Sequence, residues 1–173
     1  VTAIVTYVLS LKFENQEVQT IEKVHVNKGE ILSPIQGKLY PLSDAKDEAF
    51  ASETLGKGAL IQPSNGKVYA PFDGTIVTLF PTKHAIGIVS DNGCEVLIHI
   101  GMNTVQLNGK YFTSHVQQGD KVKKGQLLVE FDIDHILQEG YNLETPVIIT
   151  NTKDYSNINT NTNKDNVVLV AEA

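Results

Sequence analysis

From about Glu30 onward, short apolar runs alternate with Gly, Pro, Asn and Asp. Residues 31–42, 59–63, 67–80, 84–90, 94–100, 104–109, 126–132 and 146–150 all read as strands bounded by turns. Helical periodicity is scarce. Two stretches suit short helices, 45–53 and 134–140, the second with Asp132 or Asp134 as N-cap. Residues 151–166 are rich in Asn and Thr and read as a loop, and the apolar 167–171 reads as a closing strand. The pattern predicts an all-β protein, an antiparallel β-sandwich or barrel with one or two short helices.

The first nineteen residues break this pattern. The chain starts on Val1, and residues 1–11 are uncharged and apolar, followed by a polar stretch over 12–19 that reads as a linker. Eleven residues fall short of the roughly 20 that a helix needs to cross a bilayer. They fit an N-terminal strand, because Val, Ile, Thr and Tyr favour sheets, or the end of a membrane helix. Residues 1–19 are therefore expected to be a tail and 20–173 the folded domain.

Composition narrows the function. A length of 173 residues suits one domain with a sizeable core. A net charge of −6, with Lys121, Lys123 and Lys124 the densest basic stretch, argues against nucleic-acid binding. The single cysteine, Cys94, excludes an internal disulfide and a Cys-rich zinc site.

The richest stretch is 82–103, where two alternating runs flank Asp91-Asn92-Gly93. Asn-Gly is a strong signal for a two-residue hairpin loop. With Asn92 and Gly93 as that loop, Asp91 faces Cys94, Ile86 faces His99 and His84 faces Gly101. Alternation of side chains then sets His84 and His99 on one face as diagonal neighbours, about 7–8 Å apart along the backbone. Thr82 and Asn103 oppose each other on that face. Ile86, Ile88 and Leu97 surround the pair as an apolar dish, and Gly101 leaves room for an approaching group. Ala85, Gly87, Val89, Cys94, Val96, Ile98 and Ile100 form the core face. A slip of one residue would separate the two histidines.

Two adjacent imidazoles allow three readings. They can be core histidines satisfied by each other and by Thr82. They can be metal ligands, although a site needs more donors than these, and His25, His115 and His135 lack the spacing. They can also be a nucleophilic pair, one ring attacking and the other donating to the group received, with Thr82 fixing a tautomer.

At these residues the chain resembles the glucose-family enzyme IIA domain of the bacterial phosphoenolpyruvate-dependent sugar phosphotransferase system. The resemblance rests on Ser33-Pro34-Ile35-Gln36-Gly37, on Asp47 through Ala51, on Gly56 through Pro63 and on Ala70 through Ile76. It continues in Thr82-Lys83-His84-Ala85, Leu97 through Val105, Val116 through Leu127 and Thr145 through Ile149. It covers roughly residues 30 to 150, in order. It implies an antiparallel β-sandwich with His99 as phosphate acceptor, His84 stabilising the phosphoryl group and Thr82 orienting His84. Asp47, Phe50, Phe80, Gly101 and Asn103 would meet partners. The implied donor is the histidine-containing phosphocarrier protein, and the implied recipient is a cysteine of a IIB domain that phosphorylates sugar during import. No metal or organic cofactor is implied.

The resemblance extends to β-glucoside-type permeases, in which such a domain follows a membrane IIC domain. It implies a cytoplasmic domain at the inner face of the cell membrane, joined to the bilayer only through a fused IIC domain. One departure concerns partners: Asn103 stands where many members have Asp, and Gln106 where Glu is common. Asn can hydrogen-bond but cannot pair ionically with an arginine. A biotinyl- or lipoyl-type carrier is disfavoured because Met102, the sole Met, has no adjacent lysine. A regulatory binding module on the same fold is the remaining alternative.

Overall fold

In the computed structural model, which describes residues 29–160 and 167–172, the apolar runs become strands joined only in antiparallel pairs. The largest sheet has seven strands, in the order β2 (Gly37–Pro41), β3 (Lys57–Pro63), β11 (Thr145–Ile149), β7 (Glu95–His99), β6 (Ala85–Ser90), β5 (Gly74–Leu79) and β9 (Lys121–Val122). A second sheet runs β4 (Lys67–Tyr69), β10 (Leu127–Phe131) and β8 (Phe112–Ser114). A third runs β1 (Gly29–Leu32), β13 (Val167–Glu172) and β12 (Asn157–Thr160). The inserted strand β11, between β3 and β7, makes the first sheet more than a simple meander.

One apolar cluster joins the sheets. Ile31 and Leu169 enter it from the third, Val68, Leu128 and Val129 from the second, and Ile76, Ile86, Ile88, Ile98 and Val147 from the first. Each fully buried aliphatic side chain contributes about 2 kcal/mol relative to exposure. Isoleucine and valine dominate because branched side chains fit the pleated surface between two layers.

Among the described residues, two α-helices of one or two turns interrupt the strands. α1 (Glu48–Ala51) is capped by Asp47, whose Oδ1 accepts from the amide of Ala49 at 2.9 Å. α2 (Ile133–Gln138) is capped by Asp132, which accepts from the amide of His135 at 3.1 Å. α1 lies within the stretch 45–53 and α2 overlaps 134–140, starting one residue earlier, and each is shorter than its stretch.

Three expectations are corrected. The 104–109 run is not a strand: Thr104–Leu107 forms a 3-10 helix, entered through Asn103 in the left-handed region at φ 59°. The Asn/Thr-rich stretch is not wholly a loop, because Asn157–Thr160 pairs with β13. The β6–β7 hairpin also has a three-residue loop, Asp91-Asn92-Gly93, rather than two. Ser90 donates its amide to the Cys94 carbonyl at 2.8 Å, and the Gly93 amide donates back to Ser90 at 2.9 Å. Gly93, at φ 89°, takes the left-handed position such loops require. The tail expected over residues 1–19 lies outside the described residues.

Candidate functional site

The longer loop moves the ladder by one residue. Ala85 lies opposite His99, Ile86 opposite Ile98 and Ile88 opposite Val96. The faces are therefore not those the two-residue loop predicts. Ile86 and Ile88 point into the main core with Val96, Ile98 and Ile100. The face shared with His99 carries Ala85 and Leu97, which form a small apolar cluster with Phe80. Nor do Thr82 and Asn103 oppose each other in a ladder, since both lie outside the strands.

Strict alternation in this register would send His84 to the face opposite His99. It does not, because His84 precedes β6 and Lys83 turns the backbone at φ 60°. Freed from the strand, the His84 ring meets that of His99 edge to face, with centroids 4.9 Å apart and planes at 84°. The backbones are tied as well: the Ile100 amide donates to the His84 carbonyl at 2.7 Å.

Both rings are held at Nδ1 and bare at Nε2. His99 Nδ1–H donates to the Gly101 carbonyl at 2.8 Å, and a carbonyl can only accept, so the His99 proton sits on Nδ1. Nδ1 of His84 lies 2.6 Å from the Thr82 hydroxyl. Each Nε2 is buried without a hydrogen-bond partner. The residues are 0% and 1% exposed, and a polar atom so enclosed ordinarily has a partner. Burial pushes His84 down to about 3, with the neighbouring His99 adding to the effect. Burial also pushes His99 down to about 4, opposed in part by the Gly101 carbonyl and the Asp47 charge. Both imidazoles are neutral near pH 7.

Aromatic rings wall the pair. Phe50, on α1, packs on His99 with centroids 5.1 Å apart. Phe80 meets His84 edge to face at 5.3 Å. Both phenylalanines are buried, so in this conformation they serve the rings rather than a partner surface. Asp47 is half-buried beside α1, and Asn103 is exposed.

Gly101 differs from expectation. It is buried, and the space beside it is filled: a Cβ there would lie 2.6 Å from Thr104 Cγ2 and 2.8 Å from the Asn142 carbonyl oxygen. Glycine is required at φ 75° so that its carbonyl reaches His99. The Met102 amide donates to that same Asn142 carbonyl at 2.8 Å, pinning the turn. Asn142 carries no signal in the sequence, and Thr104 stands in the Leu97–Val105 stretch that carries the resemblance without a role of its own. His115 and His135 lie elsewhere, paired with Glu130 and Asp132 at 2.7 Å each.

Comparison with known proteins agrees with this architecture. Residues 29–155 match the family model for the phosphoenolpyruvate-dependent sugar phosphotransferase system, EIIA 1. A beta-glucoside-specific EIIBCA component of Halalkalibacterium halodurans is 51% identical over 145 residues, spanning 81% of this chain and 23% of that protein. Its counterpart in Bacillus subtilis is 51% identical, spanning 77% of this chain and 22% of that protein. The chain thus spans about a fifth of the length of these relatives. The solved glucose permease IIA from Mycoplasma capricolum superposes with a TM-score of 0.69 at 34% identity, covering 85% of this chain and 90% of that one. Among the described residues no helix is long and apolar enough to cross a membrane. The chain belongs to the EIIA 1 family of the phosphoenolpyruvate-dependent sugar phosphotransferase system.

Proposed function

We propose that His99 accepts the phosphoryl group on Nε2 and passes it on, with His84 as the assisting donor. The observation that carries this reading is the pair of bare Nε2 atoms beside two occupied Nδ1 atoms. With its proton fixed on Nδ1, His99 presents a lone pair at Nε2. That lone pair attacks phosphorus on an incoming phosphohistidine; the new P–N bond forms as the donor P–N bond breaks, and the donor imidazole leaves with its electron pair. The onward step is the reverse at His99: a cysteine thiolate forms a P–S bond, and His99 recovers its lone pair.

His84 completes the site when Thr82 donates its hydroxyl proton to Nδ1. Nε2 of His84 then carries a hydrogen and faces the phosphoryl oxygens as a donor fixed in advance. Burial keeps both rings neutral, so neither needs to lose a proton before transfer. The apolar walls limit water, which would otherwise compete as acceptor.

The chemistry implies a small phosphohistidine carrier protein as donor and a IIB-domain cysteine as recipient. The fusion of EIIB and EIIC with EIIA in the relatives' names supports a recipient in the same polypeptide. That arrangement would hold the domain at the cytoplasmic face of the membrane, with the sugar chosen by domains outside this chain. Neither a metal nor an organic cofactor is needed for this route. Incubation with labelled phosphoenolpyruvate and the two general phosphotransferase proteins should give acid-labile label in the wild type and none in His99→Gln. Undiminished label in that variant overturns the assignment.

A further inference from the structure

Thr104 is a threonine with no solvent exposure, and it lies outside the two rings and their direct partners. Its hydroxyl donates to the Ile100 carbonyl at 2.5 Å, closing the turn that leads from β7 into the 3-10 helix. Its methyl group lies against Gly101, at the place where any larger residue would need its own Cβ. Both contacts fall on the Ile100–Gly101 link, one peptide before the Gly101 carbonyl that accepts from His99 Nδ1. The amide of Ile100 is meanwhile engaged by the His84 carbonyl. One side chain therefore holds both ends of the Ile100–Gly101 link that leads into the carbonyl deciding where the His99 proton resides. The Met102 amide, bonded to the Asn142 carbonyl, holds the far side of the Gly101 carbonyl's peptide.

We propose that Thr104 is a positioning residue for His99: by clamping residues 100 and 101 it keeps the Gly101 carbonyl on Nδ1, and so keeps the lone pair on Nε2. A neutral imidazole has two tautomers of similar intrinsic energy, and the hydrogen bond at one nitrogen selects between them. Gly101 alone cannot supply that selection, because glycine permits more backbone orientations than any other residue. Thr104 removes that freedom on the N-terminal side of Gly101, as the Met102–Asn142 hydrogen bond does on the other. The consequence for transfer rests on the reading of His99 as acceptor, whereas the tautomer itself does not.

The test uses the whole chain with nitrogen-15 in its histidines, and reads the ring nitrogens by NMR at pH 7.5. The wild type should show His99 with a protonated Nδ1 and a bare Nε2. Thr104→Val keeps the methyl contact and drops the hydroxyl; His99 should become a mixture of tautomers, and labelling from phosphoenolpyruvate should slow about tenfold. Thr104→Ser keeps the hydroxyl and should retain both the wild-type tautomer and most of the rate. A folded Thr104→Val protein with an unchanged Nδ1–H signal and rate overturns the proposal, whatever its loss in thermal stability. Should Thr104→Val not fold, Thr104→Ser decides: a mixed tautomer there has the same overturning effect, and a wild-type tautomer sustains the hydroxyl's role. Label persisting in His99→Gln would refute the acceptor assignment while leaving the tautomer result standing.

Discussion

The ring of Phe50 lies across that of His99, with planes inclined at 54°. Because α1 holds Phe50 there, the imidazole is dry on that side. Phe50→Ala should let water reach His99 and raise its pKa from about 4 toward the ordinary 6.5, followed by NMR titration of the ring proton. The same substitution should cost about 3–4 kcal/mol of stability. A folded variant whose His99 still titrates near 4 would assign the depression to other walls.

The two buried rings also make folding pH-dependent. In the unfolded chain both histidines take up protons near pH 6.5; in the native state they do so near 3 and 4. The unfolded state therefore binds more protons as pH falls below about 6.5. The histidines' contribution to stability is whole above that pH and is lost as pH drops toward 4 and then 3. Each unit of separation corresponds to about 1.4 kcal/mol, so a loss of more than 1 kcal/mol is expected between pH 7.5 and 5. Urea unfolding should show it, with a flatter profile when both histidines are replaced by Gln. Equal slopes in the two proteins would contradict the assignment.

His84 should assist and not accept. Loss of one fixed donor to a developing oxyanion commonly costs about 3 kcal/mol. His84→Ala should accordingly slow transfer to a IIB cysteine by about a hundredfold, while His99 still becomes labelled. Stopped-flow or quench-flow transfer at the wild-type rate would reduce His84 to a packing role.

Asn103 offers a gain rather than a loss. It is exposed and sits at φ 59°, a conformation that Asp also tolerates. Asn103→Asp should add a charge to the rim without disturbing the turn. Association with a basic carrier protein should speed up on the order of fivefold at low salt, and the gain should vanish at high salt. A salt-independent change would point to backbone rearrangement.

The meeting of His84 with His99 was legible because a turn signal stands between two alternating runs. Its exact geometry was not. Ser90-Asp91-Asn92-Gly93 is compatible with loops of two or three residues, and the choice is settled by burial of Ile86, Ile88 and Ile98, which no local signal reports. The pair survives the shift only because Lys83 breaks the alternation before His84. Thr104 and Val105 look like strand residues by composition, yet Gly101 and Asn103, both at positive φ, redirect the chain into a 3-10 helix. β12 was hidden for a different reason. An edge strand is held by backbone hydrogen bonds to β13, and of its four side chains Ile158 alone packs on the core, too little for a periodic signal.

Gly29 lies opposite Ala171 in the β1–β13 ladder. The polypeptide thus enters and leaves the described domain through adjacent strands at the same end of one sheet. Tension applied across those two points would part the ladder rung by rung, as a zipper opens, rather than shear all its hydrogen bonds together. The seven-stranded sheet that carries His99 is not in that load path until the neck has opened. Under such a load the described domain would yield first at this one clasp, before the sheet that holds the two histidines is disturbed.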